Sequence, residues 1–111
     1  MKVLVTTLTA AAVLALFSAS ASAALDDAKA EALMKKSGCT ACHTVDKKLV
    51  GPAYTAVAAK RKGEKDAVAV MEKSVRAGSK GVYGPMPMPP NPAAKISDAD
   101  LHDLIEWVLT K

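Results

Sequence analysis

Cys39-Thr40-Ala41-Cys42-His43 places two thiols three residues apart and an imidazole directly after the second. Residues i and i+3 lie about one helical turn apart. Two thiols at that spacing reach the two vinyl groups on one edge of a porphyrin. The next residue then carries its imidazole beneath the ring, where it can ligate iron. C-x-x-C-H is accordingly the attachment signature of c-type haem. Three other readings compete. A disulfide is possible in an exported chain, but closing two residues between cysteines makes a poor staple. A thioredoxin-like pair wants a βαβ context, and nothing here alternates like a strand for more than a few residues. A zinc site needs a second ligand pair, which His102 alone does not supply. The motif points to one covalently attached haem c, with Cys39 and Cys42 as the thioether residues and His43 as an axial ligand.

The rest of the chain fits an exported domain built around such a group. Its 111 residues suggest a single domain. Lys2 opens a segment that is apolar from Val3 to Phe17, turns small from Ser18, and reads Ala-Ser-Ala at 21–23. This is the three-part pattern of a secretory signal, with cleavage expected after Ala23. The apolar run is short for a membrane anchor, which needs about 20 residues. Residues 24–111 then form the mature domain. In it Leu, Ile, Val and Phe number only 16 of 88 residues, about 18%, under the roughly 20% below which chains tend towards disorder. A net charge of +3 (14 basic, 11 acidic) is too small for a typical disordered chain. The lysines are scattered and make no clustered nucleic-acid patch.

The mature chain reads as all-α. Asp26 or Asp27 can cap a first helix that runs to about Ser37, with Gly38 as its stop. A short helix is expected over 53–60, with Tyr54, Val57 and Ala58 on one side. Another is expected over 65–77, with Val68, Met71 and Val75 on one stripe. Five of the six prolines lie between Pro85 and Pro92, so the loop over 78–96 holds no regular helix or strand. Ser97 is an N-cap candidate, with Asp100 three residues on. Leu101, Leu104, Ile105, Val108 and Leu109 follow with the spacing of a helix that buries one face.

A second axial ligand decides the chemistry. An open position would admit small-molecule reactions, whereas a filled one leaves electron transfer. Methionine is a soft thioether that raises the potential of haem iron. Met34 and Met71 fall on predicted helices, where core packing is the default. Met86 and Met88 stand in Gly84-Pro85-Met86-Pro87-Met88-Pro89-Pro90-Asn91-Pro92, a loop with few conformations to lose. His102 lies off the apolar stripe of its helix and reads as a solvated side chain. Spacing alone leaves Met86 and Met88 both open.

Cys39 to His43, Val50-Gly51-Pro52-Ala53-Tyr54, Gly78 to Asn91 and Trp107-Val108-Leu109 together resemble a small bacterial class I cytochrome c of the cytochrome c-551 type. The resemblance spans nearly all of the mature chain. It implies an all-α class I cytochrome c fold of three to five short helices wrapped around the haem. It implies Met88, the methionine followed by Pro-Pro-Asn, as the second axial ligand. It also implies a bond from the His43 ring N–H to the Pro52 carbonyl and a bond from Asn91 near the Met88 sulfur. Two positions depart from the pattern. Tyr83 stands where the family often has tryptophan, although its hydroxyl can still donate. Ser74 falls near where a basic residue contacts a haem propionate, leaving Lys73 or Arg76 to supply that charge.

The function so implied is a periplasmic one-electron carrier, not an enzyme. It would shuttle electrons between respiratory partners such as a cytochrome complex and a terminal oxidase, nitrite reductase or peroxidase. Both iron ligands come from the chain, so no substrate reaches the metal. A monomer without a membrane anchor would dock transiently on its redox partners at the haem edge. Lysines 47, 48, 60, 62 and 80 could ring that edge and steer an acidic partner. A haem sensor, a small peroxidase or an obligate subunit of a larger oxidoreductase are the competing readings. No distal histidine–arginine pair is evident for the first two.

Overall fold

A computed structural model describes residues 25–111. The segment 1–23, read above as an export signal, lies outside them. Four helices follow in order: α1 (Asp27–Lys36), α2 (Tyr54–Arg61), α3 (Ala67–Ala77) and α4 (Asp98–Val108). A single 3₁₀ turn, Cys39–Ala41, sits between α1 and α2. Among the described residues β pairing is confined to two isolated antiparallel bridges, His43 with Lys48 and Ser79 with Met88. The fold is all-α.

The caps start the helices where side-chain chemistry allows. Asp26 Oδ1 accepts the Lys29 N–H at 2.7 Å, and Ser97 Oγ accepts the Asp100 N–H at 3.2 Å. Each satisfies one amide that the first helical turn leaves without a partner. Gly38 follows α1 in the left-handed region at φ +78°, where a β-carbon would be penalised.

The centre of the fold is α4, which packs against α1, α2 and α3. It buries Leu101, Leu104, Ile105, Trp107 and Val108. Ala30 and Met34 of α1, Tyr54 and Val57 of α2, and Ile96 complete the core. Ties at the ends lock α4 in place. Trp107 Nε1 donates to Asp27 Oδ1 at 2.8 Å. Lys111 Nζ donates to the same oxygen at 2.9 Å and lies 4.2 Å above the Trp107 ring. These hydrogen bonds hold the Asp27 carboxyl below its usual range, Lys111 contributing first. His102 is exposed and off the cavity wall, as its place off the apolar stripe suggests, and it is paired at both ring nitrogens. Its Nδ1 faces Glu72 Oε1 at 2.8 Å and its Nε2 faces Glu106 Oε1 at 3.2 Å. The Glu72 bond is the main cause that raises its pKa, and the pair fastens α4 to α3.

Candidate haem site

One large cavity, of about 400 Å³, opens between α2, α3, α4 and the two long loops. That volume lies within the roughly 300–1,000 Å³ of small-molecule sites. Leu101, Leu104, Ile105 and Val108 of α4 wall it from one side and are at the same time the core of the fold. Cys39, Cys42, His43, Pro52, Tyr83, Met88 and Asn91 all line it as well, so the residues expected to attach, ligate or support the haem meet at one cavity.

The cysteines sit on a tighter turn than the α-helical one assumed from spacing. Residues 39–41 are 3₁₀, and three residues per turn make side chains at i and i+3 eclipse one another. Cys39 and Cys42 therefore lie on the same edge. The His43 and Cys42 amides both donate to the Cys39 carbonyl, at 3.0 and 3.2 Å. Both thiols are free. Burial pushes the Cys39 thiol up, with Lys95 opposing.

His43 is held on several sides. Its Nδ1–H donates to the Pro52 carbonyl at 2.8 Å. A carbonyl can only accept, so that bond puts the proton on Nδ1 and leaves the Nε2 lone pair for a metal. The ring stacks on Tyr54 at 5.2 Å between centroids and 17° between planes. Tyr54 in turn meets Trp107 edge-on, and its phenol is pushed well above its usual pKa, chiefly by burial. Gly51 packs against the imidazole so closely that a β-carbon there would sit 2.6 Å from His43 Cε1.

Met88 is fixed through its backbone. It exchanges two hydrogen bonds with Ser79, N–H to carbonyl at 2.8 Å and carbonyl to N–H at 3.1 Å. The proline density excluded a regular strand, and a single bridge needs only these two non-proline residues. Asn91 adds a second hold. Its N–H donates to the Val75 carbonyl at 2.9 Å, and its Nδ2 donates to the Val75 and Pro89 carbonyls at 3.4 and 3.0 Å. The expected bond towards the Met88 sulfur is not among these; Asn91 fastens the Met88 loop to α3. Met86 is 64% exposed at the cavity rim.

Gly78 makes the Met88 bridge possible. It adopts φ +80° and ψ 168°, a region essentially restricted to glycine. A β-carbon there would lie 2.6 Å from the Met88 carbonyl oxygen. Gly81 has a similar φ of +77° but open space around it. Gly78→Ala is expected to lower holoprotein stability by about 1–3 kcal/mol from strain alone, with the clash added. Gly81→Ala should cost distinctly less, as read from the two thermal midpoints.

The wall also fits the polar substituents of haem. Among the described residues the buried side-chain atoms without a hydrogen-bond partner are Ser37 Oγ, Arg61 Nε and the Tyr83 hydroxyl. All three residues line this cavity. The basic residues expected to compensate for Ser74 are placed elsewhere. Arg76 Nη1 donates to the Asn91 and Ile96 carbonyls, and its Nη2 pairs with Asp98. Lys73 is exposed and off the cavity wall. Of the five lysines read as an electrostatic ring, Lys48 and Lys80 line the cavity and Lys60 lies 5.5 Å above the Tyr83 ring. Lys47 and Lys62 are exposed but not on the wall. Sequence reasoning missed Arg61 and the exposed apolar rim of Leu49, Val50 and Val82. The signal for Arg61 was present: it continues the Tyr54, Val57, Ala58 stripe at i+7, a guanidinium at an inward position.

Comparison with known proteins agrees with this fold. The family model described as Cytochrome c matches residues 28–111. The chain is 48% identical over 81 residues to cytochrome c-551 of Pseudomonas aeruginosa, covering 73% of this chain and 75% of that one. It is 45% identical over 95 residues to cytochrome c-552 of Nitrosomonas europaea, covering 85% and 90%. The crystal structure of wild-type Nitrosomonas europaea cytochrome c552 superposes with a TM-score of 0.67 at 45% identity, over 72% of this chain and 96% of that one.

Proposed function

The chain belongs to the cytochrome c family, as a small class I member of the cytochrome c-551 type carrying one covalent haem c, and from that premise we propose that it is a periplasmic one-electron shuttle with His43 and Met88 as axial ligands. Bound haem c supplies the one-electron couple of its iron. The chain's own residues do the rest. Cys39 and Cys42 hold the group by thioether bonds. Pro52 fixes the His43 tautomer so that the Nε2 lone pair would be free for the iron. Met88 brings a thioether on a proline-stiffened loop, which raises the potential. The apolar side chains of α4 exclude water, which favours the less charged reduced iron.

The observation that carries this reading is that His43, locked through Pro52, and Met88, locked through Ser79, belong to the wall of the same cavity. With both ligands drawn from the chain no coordination position is left for substrate, and the protein is a carrier, not an enzyme. The Lys2-to-Ala23 pattern supports export, leaving residues 24–111 as the haem domain. No helix of the described residues is long and apolar enough to cross a membrane. Docking is transient and monomeric in this reading. The apolar rim of Leu49, Val50 and Val82, with Lys48 and Lys80 beside it, meets an acidic redox partner such as a cytochrome complex, terminal oxidase, nitrite reductase or peroxidase. Visible spectroscopy tests the ligation. A sharp reduced α-band with a weak far-red band on oxidation is expected. Rapid CO binding by the reduced protein at neutral pH would overturn it in favour of a sensor or peroxidase.

A further inference from the structure

Two residues of the cavity wall each bury a donor that makes no well-formed hydrogen bond within the described residues, and their surroundings point to what they bind. Arg61 is the last residue of α2, and its side chain is only 14% exposed. Its Nη1 is committed outward to Glu64, at 3.2 and 3.1 Å to the two carboxylate oxygens. Because the guanidinium is planar and rigid, fixing Nη1 also fixes the direction of Nε–H, which is left buried without a well-formed hydrogen bond. The Tyr83 hydroxyl is likewise buried and without a well-formed hydrogen bond. Arg61 and Tyr83 are close enough to interact by charge and through a weak side-chain hydrogen bond, both minor causes of the raised Arg61 pKa beside its Glu64 bond. Lys60 lies over the Tyr83 ring and adds a second cation nearby. A guanidinium edge beside a phenol, on two residues that line an otherwise apolar cavity, suits an anionic acceptor with two oxygens.

Haem carries two such acceptors, its propionate carboxylates. We propose that Arg61 and Tyr83 form a carboxylate clamp that holds a haem propionate through Arg61 Nε–H and the Tyr83 hydroxyl, with Glu64 as the positioning residue that sets the guanidinium. This rests on haem occupying the cavity. The rival cations do not fit the role. Arg76 is consumed by Asn91, Ile96 and Asp98, and Lys95 Nζ reaches Asn91 Oδ1 at 3.4 Å. Lys48 and Lys80 line the cavity but are exposed, where a hydrated ammonium offers a weaker and less directed contact.

The clamp predicts a redox signature. A paired guanidinium offsets the propionate charge; without it, that negative charge favours the oxidised iron. In holoprotein poised at a fixed ambient potential, Arg61→Gln is expected to raise the oxidised-to-reduced ratio several-fold. Arg61→Lys should restore part of the shift. Tyr83→Phe should move the ratio in the same direction by less, and the Arg61→Gln/Tyr83→Phe double variant should fall short of the summed shifts, because the two donors share one acceptor. Lys62→Gln removes an exposed charge one residue away from the clamp and should barely change the ratio. If Arg61→Gln fails to load haem, the Tyr83→Phe comparison still decides. Ratios for Arg61→Gln and Tyr83→Phe no larger than that of Lys62→Gln would overturn the clamp. The far-red band is recorded on the same samples. Its absence from the wild-type protein would sink the Met88 ligation and leave the clamp to be judged on the ratios.

Discussion

Replacing Cys39 and Cys42 together by serine is expected to yield a chain with little helical circular dichroism and no cooperative thermal transition, against a fully folded wild-type holoprotein. The helices are 8 to 11 residues long, and isolated helices shorter than about 12–15 residues are marginal in water. Packing must therefore stabilise them, and the protein supplies little on its own. No large side chain is fully buried among the described residues. The apolar face of α4, which should anchor the core, is shared with the cavity. Ordering each residue costs roughly 1–2 kcal/mol of backbone entropy, and 16 large aliphatics in 88 mature residues offer little apolar burial against it. Haem in the cavity would add apolar surface against the residues of α2, α3 and α4 that line it, and a group bound only by the native state stabilises that state. The single Cys39→Ser and Cys42→Ser variants, each retaining one thioether, should unfold cooperatively at a reduced midpoint. A double variant that melts cooperatively near the wild-type temperature without haem would show that the chain folds on its own.

Much of this architecture was legible in the sequence because it depends on local chemistry. The Ser97 cap and the Leu101, Leu104, Ile105, Val108 spacing define α4 without reference to any other element. Gly38 marks the end of α1 for the same reason. The C-x-x-C-H run carries its function within five residues, although its turn is 3₁₀, a detail that spacing of three does not distinguish from an α-turn. What could not be read depends on partners far along the chain. Arg76 of α3 staples the loop through carbonyls 15 and 20 residues away and reaches α4 at Asp98, so its charge is engaged away from the cavity. Asn91 finds Val75, 16 residues back. Trp107 is tied to Asp27, 80 residues away. A propensity or a period reports which face of an element is apolar, not which polar atom at its edge will meet another. Arg61 illustrates the limit: its register on α2 was visible, but only the fold shows Glu64 taking Nη1 of the guanidinium while Nε is left buried in a residue of the cavity lining.

Met88→Ala carries the largest expected change in function. If Met88 supplies the thioether, its loss should abolish the weak far-red band of the oxidised protein and open the reduced protein to CO. It should also lower the reduction potential on the order of a few tenths of a volt, within the roughly 0.8 V range that axial ligands span. The protein should nevertheless remain folded. The Ser79–Met88 bridge uses backbone groups only, which alanine retains, and the Asn91 bonds to Val75 and Pro89 do not involve the methionine side chain. Met86→Ala is the matched control. Met86 is exposed at the rim, so removing its thioether should leave the far-red band and CO resistance intact. The pair separates ligation from general loop damage, because both variants shorten a methionine in the same proline-rich segment. An unchanged band and potential in Met88→Ala, or their loss in Met86→Ala, would transfer the ligand role away from Met88. The expected result ties the unusual proline density of the loop to its function: Gly78, Ser79, Val75 and Asn91 hold the backbone still, so a side chain on an irregular loop can serve as a fixed metal ligand.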